Sequence, residues 1–185
     1  MKEKSLTISL PLQISELATG LIFAGATTLS FFVPFALGHP QWLVGTAVNA
    51  CLFLAAIFLP KKYYIPLIIL PSLGVLARGM LLGPLTMFLV YFLPLIWLGN
   101  LILILIFEGC FKSLKFVFSV FIGAGAKYLF LFITADIYFK FHFVPKVFLQ
   151  IMGLNQLATA LAGGLVALII FKIYEQLNAG SKKAA

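Results

Sequence analysis

Residues 88–107 read FLVYFLPLIWLGNLILILIF, a run of twenty residues without a charged side chain. A helix needs about 20 mostly apolar residues to cross the hydrocarbon core of a bilayer. This run therefore predicts a transmembrane helix. Comparable apolar runs precede and follow it along the chain, so the same interpretation applies to most of the sequence and determines the fold class.

Six such runs predict an all-α membrane protein, a six-transmembrane-helix bundle that forms one integral membrane domain over residues 1–185. The predicted helices cover residues 16–37, 41–59, 63–82, 83–107, 114–137 and 154–174. The chain is 63% hydrophobic and 10% charged, with a mean hydropathy of +1.14, whereas soluble domains are about 45–50% apolar and about 25% charged. Short turns use up the remaining residues, which leaves no room for a separate soluble catalytic unit.

Lysine and arginine in the short loops predict the orientation, because positive charge is retained on the cytoplasmic side of a membrane. With the N-terminus inside, nine lysines fall on inner segments and three basic residues fall on outer ones. We therefore expect a multi-pass protein of the cell (plasma) membrane with both termini in the cytoplasm (N-in/C-in). The net charge of +8 does not indicate nucleic-acid binding, because the lysines are dispersed between apolar runs.

The longest outer loop is predicted at residues 138–153, between helices 5 and 6. It is sixteen residues long and rich in Phe, Val and Ile. We expect this loop to lie at the membrane interface as an amphipathic lid.

Polar side chains inside a membrane are costly and tend to mark sites. In the predicted topology they run from the outer surface to the midplane, and the inner half carries little beyond Asn100. Such a distribution predicts a pocket that opens outward and is closed below. The candidate substrate-binding residues are Trp42, Asn49, Arg78, Lys127, Asn155 and Gln156.

Several of these polar residues also have a purely structural interpretation. Lys127 could bond to helix carbonyls, and Arg78 could anchor a lipid phosphate. Asn49 and Asn100 could hold neighbouring helices together by hydrogen bonds.

A stripe of small residues runs along helix 1, where Gly20, Ala24 and Thr28 recur at four-residue spacing. Such spacing makes a flat groove that a second helix can approach closely. Packing inside the same bundle is one interpretation, and docking of a partner subunit is the other. We take these three residues as candidate partner-docking residues.

Several local motifs resemble a known family. They are VGTAVNA at residues 44–50, LPS at 70–72, GP at 83–84, LGN at 98–100 and, most specifically, NQLATALAGG at 155–164. Together with the size, the helix number and the topology, the chain resembles the substrate-binding S components of energy-coupling factor (ECF) transporters, which are prokaryotic vitamin and micronutrient importers.

The resemblance implies a protein that captures a small solute outside the cell. Delivery inward would require a transmembrane coupling subunit and two ATPase subunits. Family members dock through small-residue motifs on helix 1, usually Ala-xxx-Ala, and the matching residues here are Gly20 and Ala24. Ligand contacts are implied for residues 38–41 and 138–153. The nickel and cobalt members bind metal through an N-terminal Met-x-His, which Met1-Lys2-Glu3 does not supply, so we expect no metal of that kind.

We therefore expect a non-enzymatic substrate-capture subunit for a small water-soluble, vitamin-like or anionic solute. No cofactor is expected, and no GxxxxGK[ST] motif is present to bind ATP. The alternative is a non-catalytic membrane scaffold protein of envelope assembly, which would need docking grooves but no polar pocket. An intramembrane enzyme is disfavoured, because most of the five acids lie at predicted membrane edges and both histidines lie in predicted loops.

Overall fold

Apolar runs of the sequence become helices throughout the part of the chain that the structure describes. The computed structural model describes residues 11–12, 14–37, 40–79 and 86–184, and no strand occurs in these ranges. The helices are α1 (Glu16–Leu37), α2 (Gln41–Phe58), α3 (Tyr64–Arg78), α4 (Thr86–Phe111), α5 (Phe116–Lys140), α6 (Val147–Ile151) and α7 (Leu154–Ala184). The N-terminal Met1-Lys2-Glu3, residues 38–39 and the motif at 83–84 lie outside the described residues.

Five of these helices (α1, α2, α4, α5 and α7) are long and apolar enough to cross a membrane. They confirm the prediction of an all-α protein with several helices that are long and apolar enough to span a membrane. The third helix differs: α3 has 15 residues and is therefore about 22 Å long, which is short of the roughly 30 Å hydrocarbon core.

The end of α3 explains why the predicted boundary at Leu82 was wrong. Gly79 adopts a positive φ of 75°, and its N–H donates to the carbonyl of Leu76. A glycine in this conformation ends helices commonly, because it lacks the Cβ that would clash. At the other extreme, α7 continues ten residues past the predicted end at Tyr174. Apolar content predicted only the apolar part of α7, whereas helix formers such as Glu, Gln, Leu and Ala extend the helix further.

The helices alternate in direction, so the bundle has two distinct ends. We call the end where α1, α3 and α5 finish and α2, α4 and α7 begin the open end, and the opposite end the closed end. Helix α2 is the most buried of these five helices. In its apolar segment 56% of the residues are buried, compared with 11% in α1. It packs against α1, α3, α4 and α7.

Aromatic rings fill the closed half of the bundle. Phe53, Phe107, Phe111, Phe116 and Phe171 come from α2, α4, α5 and α7, and each is at most 7% exposed. Neighbouring ring centroids in this group lie 5.0 to 5.8 Å apart, within the range that favours aromatic pairs. The closed half is therefore a packed apolar core.

The segment between α5 and α7 differs from the expected interfacial loop. Helix α5 runs on to Lys140, and the short α6 follows after a turn. Val144, Phe148, Ile151 and Met152 are buried in an apolar cluster with residues of α4 and α5. Phe148 stacks on Phe92 of α4 with the ring centroids 5.3 Å apart. The segment is thus anchored in the bundle by four apolar side chains.

One carboxylate joins two elements at the closed end. Glu108 lies 3.6 Å from Lys61 and 3.3 Å from Lys112, and its own side chain is 5% exposed. The hydroxyl of Tyr64 also donates to it, at 3.5 Å. The end of α4 is thereby held against the connection between α2 and α3.

Replacing Glu108 with glutamine should lower the free energy of unfolding by only about 1 kcal/mol, because ion pairs with exposed lysines contribute little to stability. Both lysine side chains are well exposed, at 66% and 46%. Thermal unfolding in detergent would measure the change, with Glu175→Gln on the exposed part of α7 as control. Equal unfolding temperatures for the two variants would contradict the prediction.

Candidate functional site

A cavity of about 120 Å³ lies in the open half of the bundle, above the aromatic core. One water molecule needs roughly 10–15 Å³ on the same measure, so the cavity has room for several waters or a small solute. Six helices enclose it. The lining residues are Pro34, Gln41, Val44, Gly45, Val48, Asn49, Pro71, Ser72, Val75, Leu89, Ile96, Asn100, Lys127, Asn155, Gln156 and Thr159.

A buried lysine stands at the centre of the polar lining. Lys127 of α5 is 2% exposed, and its Nζ donates to Oδ1 of Asn49 and to Oδ1 of Asn100, at 2.8 Å in each case. Both asparagines are also 2% exposed. An ammonium group can only donate hydrogen bonds, so it fixes both amides with the oxygen towards Lys127 and the nitrogen away from it.

Further hydrogen bonds hold the two amides in place. Asn49 Nδ2 donates to the carbonyl of Gly45 at 2.8 Å and to Oγ1 of Thr159 at 3.3 Å. Asn100 Nδ2 donates to the carbonyl of Ile68 at 3.2 Å. The network therefore connects α2, α3, α4, α5 and α7 through side chains that leave little freedom of orientation. We call Lys127, Asn49, Asn100 and Thr159 the polar floor of the cavity.

Small residues allow α2 and α7 to approach closely enough for this contact. A Cβ on Gly163 would lie 2.7 Å from the backbone nitrogen of Ala50, and one on Gly45 would lie 2.9 Å from the Cβ of Thr159. Thr159 and Gly163 are four residues apart, so they share one face of α7. The motif at residues 155–164 thus supplies both the close packing and part of the cavity lining.

Four of the six predicted substrate-binding residues line this one cavity: Asn49, Lys127, Asn155 and Gln156. Asn49 and Lys127 are in direct contact at the floor. Asn155 and Gln156 lie at the start of α7, closer to the open end.

Trp42 and Arg78 are not among the residues that line the cavity. Trp42 is 65% exposed, and the preceding Gln41 lines the cavity in its place. The guanidinium of Arg78 donates to the carbonyl of Phe35 at 3.0 Å and to that of Ala36. These carbonyls belong to the last turn of α1, which has no further helical N–H to satisfy them. Arg78 therefore caps α1.

Two other polar lining residues, Ser72 and Thr159, were not among the residues predicted to contact a solute. Gln41 lies in the segment 38–41, for which the family resemblance implied ligand contacts, and Asn100 was named as a residue that could hold neighbouring helices together. A polar amide within the apolar run at 88–107 was the signal that could have identified Asn100 as a site residue. Ser72 accepts a hydrogen bond of 2.6 Å from the indole nitrogen of Trp97, which gives Trp97 a role in packing α4 against α3.

The small-residue stripe of α1 lies on the surface of the bundle. Gly20, Ala24 and Thr28 are all exposed, and a Cβ on Gly20 would meet nothing within 4 Å. Packing inside the described bundle therefore does not use this stripe.

Among the described residues, no group of three or more His, Cys, Asp or Glu side chains is placed to hold a metal ion. No protein-family model, curated protein or solved structure matches the chain. A functional interpretation therefore depends on the cavity and on the surfaces of the bundle.

Proposed function

We propose that the chain is the substrate-capture subunit of an ECF-type importer. It binds a small water-soluble solute, vitamin-like or anionic, in the cavity above the polar floor. A transmembrane coupling subunit and two ATPase subunits then drive delivery inward, and the chain itself catalyses no reaction. The observation that carries the proposal is the buried Lys127–Asn49–Asn100 cluster inside a cavity, because concave sites with a few fixed polar groups are typical of small-molecule binding.

The aromatic core supports capture rather than conduction. Buried rings from α2, α4, α5 and α7 fill the half of the bundle below the polar floor. A channel needs a wettable path through both halves, whereas a capture subunit needs one only on the side from which the solute arrives. Passage of the solute to the other side would require a partner to rearrange the bundle.

In the proposed orientation the open end faces the outside of the cell and both termini are cytoplasmic. Lys61, Lys62, Lys112 and Lys115 lie at or next to the helix ends of the closed end, which favours a cytoplasmic location for that end. The connection that contains α6 lies at the open end, and we assign it the role of the lid over the mouth.

The scaffold alternative accounts less well for the polar floor. A scaffold needs surfaces for docking, and α1 offers one. A scaffold does not require a lysine buried next to a cavity. Burying an ammonium group is costly unless it has partners, and an apolar residue would hold the helices together without that cost. The floor therefore favours solute binding.

Native mass spectrometry of the chain purified from cells grown in rich medium would test the proposal. We expect the mass of a small solute to remain with the wild-type protein, and the coupling subunit to be recovered with it from cell membranes. Absence of both solute and coupling subunit would contradict the proposal. Retention of a partner complex without any solute would favour the scaffold alternative.

Leucine at Gly20 and Ala24 together should reduce recovery of the coupling subunit at least about 10-fold, which corresponds to about 1.4 kcal/mol. Large side chains would keep the partner helix away from a surface that needs close approach. Retention of the solute should not change, since Gly20 has open space around it. Gly25→Leu is the matched control, because Gly25 of the same helix also has nothing within 4 Å of an added Cβ. An equal loss in that control would contradict the assignment of the docking face.

A further inference from the structure

Two hydrogen-bond donors of the polar floor have no acceptor among the described residues. A lysine ammonium has three N–H donors, and Asn49 and Asn100 accept two of those of Lys127. No third protein acceptor for this nitrogen occurs among the described residues. From this we infer that the solute of the proposed function is a small monocarboxylate, whose carboxylate group accepts hydrogen bonds from Lys127 and Asn100.

The other polar groups of the floor agree with an acceptor as the missing partner. Both hydrogens of Asn49 Nδ2 have acceptors, the Gly45 carbonyl and Thr159 Oγ1. The Thr159 hydroxyl donates to the carbonyl of Asn155 at 2.8 Å. Asn100 Nδ2 has one acceptor, the Ile68 carbonyl, so its second hydrogen is available. Lys127 and Asn100 thus offer one free donor each.

The charge of the cavity specifies an anion with a single negative charge. Lys127 is the one charged residue in the described lining, where no Asp or Glu occurs. Asp136, nine residues further along α5, pairs with Lys140 at 2.7 Å. A carboxylate on Lys127 would form a charge-assisted hydrogen bond in surroundings that exclude most water. A phosphate dianion would leave an extra buried charge, which is costly.

The residues that line the cavity above the polar floor indicate the chemistry of the rest of the solute. Val44, Val48, Val75, Leu89 and Ile96 form mostly apolar walls. Gln41, Asn155 and Gln156 add amide groups at the first turns of α2 and α7, where the cavity opens. The cavity therefore fits a carboxylate at the floor, an apolar body along the walls, and a polar or hydrated group at the mouth.

Matched acids and amides would test the charge requirement on solute-free protein in detergent. The probes are sodium acetate, butanoate and benzoate, each compared with its carboxamide and with sodium chloride at equal ionic strength. Acetate is small enough that shape cannot prevent its entry. We expect at least one acid to raise the unfolding temperature saturably, by about 3–5 °C at ten times its Kd, and its amide to leave that temperature unchanged.

Two variants should remove the effect of the acid. Lys127→Met deletes the charge. Asn100→Asp places a carboxylate next to the ammonium group, so that an internal ion pair replaces the bound anion. The variant loses the hydrogen bond to the Ile68 carbonyl but keeps a partner for Lys127, and it provides the test if Lys127→Met fails to fold. Lys172→Met, on the exposed part of α7, is the control that keeps the effect. The inference is overturned if an amide stabilises the wild type as well as its acid does, if no acid differs from chloride, or if the acid still stabilises Asn100→Asp.

These outcomes are distinct from failure of the proposed function. A neutral or cationic solute in native mass spectra would overturn the monocarboxylate and leave solute capture standing. Absence of both solute and coupling subunit would overturn solute capture itself.

Discussion

Replacing Asn49 with leucine is expected to lower the free energy of unfolding by about 2–4 kcal/mol and to abolish retention of the solute. The substitution removes one of the two oxygens that accept hydrogen bonds from Lys127, and it leaves a buried ammonium group with a single protein partner. It also breaks the contact between α2 and Thr159 of α7. Unfolding in mixed micelles and native mass spectrometry would measure the two effects.

Thr46→Val is the matched control, one turn from Asn49 on the same helix. The hydroxyl of Thr46 donates only to the carbonyl of Trp42, at 2.7 Å, so its loss affects no other helix. We expect a change below about 1 kcal/mol, as for an ordinary intrahelical hydrogen bond. If both variants unfold at the same denaturant concentration, the polar floor does not hold the bundle together.

Replacing Gly163 with alanine adds one methyl group and is expected to lower the free energy of unfolding by at least about 2 kcal/mol. Overpacking of such a close contact forces the backbone to move. The added Cβ would lie 2.7 Å from the Ala50 nitrogen and 2.9 Å from the Thr46 carbonyl oxygen, and neither backbone atom can yield without moving α2. Asn49 lies in the same contact, so solute retention should fall together with stability. Thermal unfolding of the Gly163→Ala protein would measure the loss.

Gly125→Ala is the matched control: it makes the same chemical change as Gly163→Ala but is not expected to lower the stability of the protein. An added Cβ on Gly125 would meet nothing within 4 Å, and alanine is favoured over glycine inside a helix by up to about 1 kcal/mol. We therefore expect Gly125→Ala to unfold at the same temperature as the wild type or slightly above it. A stability loss as large as that of Gly163→Ala would show that close approach of α2 and α7 is not the cause.

The sequence was sufficient to predict most of the long helices and the position of each polar residue along its own helix, because both depend on counting residues along one helix. Asn49 and Lys127 were expected near the middle of separate helices, and that is where the cavity floor lies. Their direct contact could not be predicted, because it depends on how α2 and α5 are rotated about their axes. A change of one residue turns a side chain by about 100°, which is why Gln41 rather than Trp42 lines the cavity.

Arg78 and the α5–α7 connection show a second reason why prediction was incomplete. Arg78 was a candidate substrate-binding residue, but its long side chain reaches the end of α1, a neighbour that only the tertiary structure identifies. The residues before α7 were recognised as apolar, which is compatible with a membrane interface and equally with a buried cluster. The partner residues of that cluster, Leu89 and Phe92, belong to α4 and are far away in the sequence.

Two contacts tie α1 to α3 near the open end, and they have a mechanical consequence. The Gly74 backbone lies against the Phe31 carbonyl, and Arg78 binds the last carbonyls of α1. The two helices are therefore held together at this end by backbone packing and by hydrogen bonds. Pro71, Ser72 and Val75 of α3 form one wall of the cavity. We therefore expect a force on the exposed face of α1 to be transmitted to that wall and to change the width of the space above Lys127.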